Sequence, residues 1–116
     1  MPIQTQDLIL EAETSLNHNT ECGDRACISR SYYAVYHELL PKAEIAGFDT
    51  TSPSSHVRLV AFIKSRKKWL SDRLNDLRKS RIDADYRLDV TIAPLQAKSV
   101  IEESKRLISS IQKMNF

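Results

Sequence analysis

Apolar residues recur along this chain at spacings of three and four, the period of an α-helix with one buried face. Ile9, Ala12 and Leu16, with Leu8 beside them, predict a first helix from a Thr5 cap to about Asn17. Asn17-His18-Asn19-Thr20 reads as a polar connector. Asp24, after Gly23, is a candidate cap for a second helix that runs to about Leu40 or beyond, with Pro41 kinking or ending it. Residues 47–54 form the clearest loop. Ser54 or Ser55 then caps a third helix carrying Val57, Val60, Ala61 and Lys64, and Ser65–Lys68 is either a turn or a continuation. Leu70, Leu74, Leu77, Arg81 and Ala84 fall on one face of a fourth helix, which the chain leaves near Asp85-Tyr86. Asp89 or Thr91 starts the last helix, with Pro94 tolerated in its first turn. Ala97, Val100, Ile101, Ser104, Leu107, Ile108 and Ile111 trace its inner stripe. No segment alternates with the strand period, so the expected fold is all-α, an up-down bundle of four to five helices in one domain over residues 1–116.

Composition sharpens this in two ways. Only two glycines and four prolines among 116 residues leave too few turns for a β-sandwich. The longest purely apolar runs are five residues, too short to span a membrane, and the first residues lack the basic and apolar regions of a signal peptide. A cytoplasmic location with no membrane partner is expected.

Net charge is only +2, but it is unevenly distributed. Residues 1–24 carry five acids and no Lys or Arg, whereas residues 58–81 carry nine bases against Asp72 and Asp76. Lys64, Arg66, Lys67, Lys68, Arg73, Arg78 and Lys79 could track a phosphate backbone, with Trp69 stacking on a base or serving as an anchor in a core or interface. Equally, the block could answer the acidic first helix within the fold or across a dimer. His18, Cys22 and Cys27 offer no four-ligand metal set, and two cysteines make no disulfide scaffold, so neither a metal nor another cofactor is expected.

The second helix carries the most chemistry, in Ser29-Arg30-Ser31-Tyr32-Tyr33-Ala34-Val35-Tyr36-His37. Arg30 and His37 are seven residues apart, so they differ by about 20° in direction and about 10 Å along the axis. Asp24, Ser31 and Glu38 define the most polar direction, which predicts that Arg30 and His37 lie off the solvated face, beside the small Ala26 and Ala34. Such a pair is either tied into an internal network or opens onto a site.

That string resembles the signature of HEPN domains (higher eukaryotes and prokaryotes nucleotide-binding), particularly a small prokaryotic group reading Ser-Arg-x-Tyr-Tyr-Ala-x-Phe-His. Ser55-His56 and Arg81-Ile82-Asp83-Ala84-Asp85-Tyr86 resemble two later elements of that group. The resemblance implies a HEPN-like bundle that pairs as a homodimer in toxin–antitoxin, phage-defence or CRISPR-linked systems. It also implies a metal-independent endoribonuclease with an Arg…His motif, a catalytically inactive partner of an antitoxin, a minimal nucleotidyltransferase or a larger effector, or a nucleotide-binding module.

For RNA cleavage, Arg30 and His37 are the candidate catalytic pair, supported by Tyr33, Tyr36, Arg81, Asp85 and Tyr86. A histidine moves protons near neutral pH, and an arginine stabilises charge on phosphorus. Where ribonuclease members of the family place their histidine, this chain has Ala84-Asp85-Tyr86. Asp83 and Asp85 are expected to pair with Arg30 or Arg81, and His56 to be a local cap partner or a phosphate ligand.

Overall fold

The computed structural model describes residues 2–51 and 53–116. Five helices, α1 (Thr5–Leu16), α2 (Glu21–Ile45), α3 (Ser55–Lys64), α4 (Lys68–Tyr86) and α5 (Pro94–Gln112), build a helical bundle, with no strand among the described residues. The longest helix, α2, packs against all four others. Tyr32, Ile28 and Leu39 from α2 meet Leu59 and Ile63 of α3, Leu70 and Leu74 of α4, and Ile101 and Ile111 of α5 in one core. Each such aliphatic side chain contributes about 1.5–3 kcal/mol on burial.

The stripes expected on α4 and α5 are the buried ones, Leu70, Leu74, Leu77, Arg81 and Ala84, then Ala97, Val100, Ile101, Ser104, Leu107 and Ile111, except that Ile108 is only half-buried. The third helix differs. It buries Leu59 and Ile63, leaving Val57, Ala61 and Lys64 outside, because Leu and Ile offer more apolar area to the core. Ser65–Lys67 is a turn, so α3 and α4 are separate helices.

The helix starts also differ from those expected. α1 is capped at Gln4, whose backbone N–H donates to the Asp7 carboxylate at 2.8 Å. α2 is capped by Thr20, four residues before Asp24, and the Thr20 hydroxyl accepts from the Gly23 N–H at 3.0 Å. Gly23 is needed there, since a Cβ would collide with the Ser15 carbonyl oxygen where α1 and α2 approach most closely. α5 starts at Pro94 after Ala93, beyond Asp89 and Thr91. Pro41 lies inside α2 and does not end it. It removes the N–H that would have reached the His37 carbonyl. The helix stops at Gly47, whose φ of 106° suits only glycine well, and the Phe48 N–H closes back on Ala43 at 2.9 Å.

Candidate active-site groove and an arginine–tyrosine cluster

Arg30, Tyr33 and His37 project from one side of α2 into an open groove of about 750 Å³. Its other walls are the chain entering α1 (Ile3, Gln4, Thr5, Leu8), Glu38 of α2 and Gln112 of α5. The expectation that Arg30 and His37 lie off the solvated face is overturned, as both are exposed. Asp24 and Ser31 take the interior instead, at 3% and 0% exposure. The reason is size: short side chains fit beneath packing helices where a guanidinium or imidazole would hold the helices apart. Asp24 also lies in the first turn of α2, where the helix dipole favours a carboxylate. The internal-network alternative for this pair fails too, because Arg30 makes no ion pair among the described residues. Glu38, the groove's acid, accepts from the Thr5 hydroxyl at 3.2 Å and from the Gln112 amide at 2.9 Å.

Behind Tyr33 lies a second constellation. The Tyr32 hydroxyl is 2.7 Å from His56 Nδ1, and the Tyr36 hydroxyl is 3.0 Å from Ser55 Oγ. Arg81 donates to the Tyr33 hydroxyl at 3.4 Å, and its guanidinium lies 5.3, 5.5 and 5.7 Å from the rings of Tyr32, Tyr33 and Tyr86. The faces of these rings attract the cation. Arg81 is only 7% exposed, and its Nε has no hydrogen-bond partner. Burial raises the Tyr32 hydroxyl well above the ordinary tyrosine range, so it stays protonated. A protonated phenol can serve as the donor to Nδ1, and with Tyr32 donating the proton of neutral His56 sits on Nε2. Burial also lowers His56 below the usual histidine value, and the positive fields of Arg81, Arg78 and His37 lower it further. His56 thus ties α3 to α2 and is not a local cap.

The three sequence elements read separately therefore converge: 30–37 on α2, 55–56 on α3 and 81–86 on α4. Ser29 donates to Asp85 at 3.1 Å, while Asp83 faces Arg87 at 3.5 Å. Neither carboxylate pairs with Arg30 or Arg81, which corrects that expectation. Tyr36 is buried, Tyr33 is half-buried and shared between groove and cluster, and Tyr86 is exposed. The part of His56 was missed because a lone histidine after a serine reads as a helix start. The Ser-His pair was the available signal.

Among the described residues, one member of the basic block, Arg73, pairs with α5, and none pairs with the acidic first helix. Arg73 reaches Glu103 at 2.6 Å, whereas Glu13 of α1 pairs with Lys105 at 3.0 Å. Lys68 pairs with Asp72 at 3.0 Å, Arg66 lies over the Phe62 ring at 4.0 Å, and Arg78 bonds Asn75 at 3.1 Å. Lys64, Lys67 and Lys79 form no ion pair among the described residues. Trp69 is 47% exposed and so is not a core anchor of this chain. Cys22 and Cys27 are free thiols, and His18 is exposed. Among the described residues, no three His, Cys, Asp or Glu gather as a metal-binding group, and no helix is long and apolar enough to cross a membrane. No protein-family model matches the chain, and neither a curated protein nor a solved structure matches it.

Proposed function

We propose that this chain is a HEPN-type, metal-independent endoribonuclease that acts as a homodimer in a toxin–antitoxin or phage-defence setting. The observation that carries the reading is the shared opening of Arg30 and His37 into one groove, with Tyr33 between them. His37 takes the proton of a ribose 2′-hydroxyl as that oxygen bonds to the adjacent phosphorus. The bond from phosphorus to the 5′ oxygen breaks, and the imidazolium returns its proton to that leaving oxygen. The products are a 2′,3′-cyclic phosphate and a 5′-hydroxyl. Arg30 offers fixed donors to the charge that builds on the phosphorane. The unpaired Lys64, Lys67 and Lys79 give the strand a basic approach.

The purified protein should cut RNA in EDTA. His37→Ala and Arg30→Ala should each reduce cutting by about 10²-fold or more while leaving the helical circular dichroism unchanged. Equal cutting by all three proteins would remove the pair from catalysis.

A second reading is favoured by a different observation. Tyr86, Leu88 and Leu95, at the end of α4 and the start of α5, are 72%, 77% and 73% exposed. Such a surface suits a catalytically inactive assembly module that pairs with itself and with an antitoxin, a nucleotidyltransferase or a larger effector. Wild type that never cuts RNA, together with loss of self-association in Leu88→Asp, would favour this reading.

A further inference from the structure

Among the described residues, Arg81 is a cation without a counter-ion. It is 7% exposed, its Nε is unpartnered, and its hydrogen bond goes to a neutral phenol, with no carboxylate in reach. Ring faces offset part of its charge but satisfy none of its N–H groups. Nearby, His56 has Nδ1 occupied by Tyr32, which leaves the Nε2–H free. Tyr33 supplies a hydroxyl that accepts from Arg81 and keeps its own O–H to donate. His56 also sits in the first turn of α3, whose positive end adds to the field. Groups from three helices thus lie together: Tyr33 accepts from Arg81 at 3.4 Å, the His56 ring is 5.8 Å from the Tyr33 ring, and the exposed Tyr86 ring lies 5.7 Å from the Arg81 guanidinium.

We propose that Arg81, Tyr33 and His56 form a seat for a terminal phosphate monoester. The depth of Arg81 favours a chain end over an internal phosphodiester, which carries two ester substituents and needs an open channel on both sides. The three free oxygens of a monoester match the three donors. Tyr33 also lines the groove, so a strand held by its terminal phosphate extends past this ring towards Arg30 and His37. The seat is independent of cleavage and remains if the groove proves inert.

His56 reports on occupancy. Its proton affinity is lowered by burial, then by Arg81, Arg78 and His37, so an anion at Arg81 cancels part of that field and raises it. The test is an NMR pH titration of the histidine ring protons in the full chain. The ligands are inorganic phosphate, AMP, and a tetraribonucleotide with either a 5′-phosphate or a 5′-hydroxyl. The His56 pKa should rise by about half a unit or more with phosphate or AMP, and the exposed His18 should not move. The 5′-phosphorylated strand should bind roughly tenfold tighter than its 5′-hydroxyl form. If AMP moves His56 but the phosphorylated strand gains nothing over the 5′-hydroxyl strand, the seat stands and its ligand is a small phosphate. Arg81→Gln should abolish the shift. Should that variant unfold, Tyr33→Phe keeps the ring and should weaken binding several-fold. A His56 that ignores inorganic phosphate, AMP and the phosphorylated strand alike, an equal shift in Arg81→Gln, or an unchanged affinity in Tyr33→Phe overturns the seat. Loss of RNA cleavage with the shift intact counts against the groove alone.

Discussion

The groove and the cluster lie on either side of Tyr33 and are built on opposite terms. In the groove, Arg30 and His37 are exposed, and the His37 ring lies beside the rings of Tyr33 and Tyr36 on its own helix without tying that helix to another. In the cluster, Tyr32, Tyr36, His56 and Arg81 join α2, α3 and α4, so its polar atoms are part of the fold. Substitution in the first region should change chemistry and spare stability, whereas in the second it should cost stability first.

The largest expected difference is in RNA cleavage, where His37→Ala loses about 10²–10⁴-fold. Its unfolding free energy should nonetheless stay within about 0.5 kcal/mol of wild type, measured by urea denaturation. Next, Tyr32→Ala removes a fully buried ring and its hydrogen bond to His56 and should destabilise by about 3–5 kcal/mol in the same assay. A loss below about 1 kcal/mol would mean that the cluster does not tie the helices.

The third effect depends on pH. The folded-state pKa of His56 lies below the unfolded value of 6.5, so the unfolded chain binds the proton more readily. The stability this residue contributes is complete above about pH 6.5 and is lost as pH falls through the folded-state value. His56→Gln should flatten that part of the curve. The smallest effect belongs to Thr5→Val, which removes one of two donors to Glu38. It should cost about 0.5–1.5 kcal/mol and should not move the His56 titration.

The architecture was legible where a helix has one wet side. Leu70 to Ala84 and Ala97 to Ile111 each trace a single stripe, and each is buried as read. α2 defeated the same reasoning. It is packed by four neighbours, so its polar residues do not mark its outside, and Asp24 and Ser31 are deeper than Arg30 and His37. A helical wheel gives directions but not which direction a neighbour occupies. For the site, the sequence identified Arg30, His37, Tyr33, Arg81 and Tyr86, yet their division between a wet groove and a dry cluster depends on where α3 and α4 dock. The tie of His56 to Tyr32 spans 24 residues, and no local pattern encodes it.

Arg25 has a consequence of its own. Its guanidinium donates to the carbonyls of Asp83 and Ala84 at 3.1 Å and of Arg87 at 3.2 Å, and also to that of Val90. Residues 87–93 have no regular secondary structure, so this side chain, together with Ile92 buried in the core, sets where the chain reverses between α4 and α5. Exchange it for leucine, and amide hydrogen exchange across that bend should quicken before the rest of the bundle loosens. The exposed aromatic at the end of α4 would then keep only the Arg81 guanidinium to fix its bearing, because the fork far away in sequence no longer holds the carbonyls on either side of it.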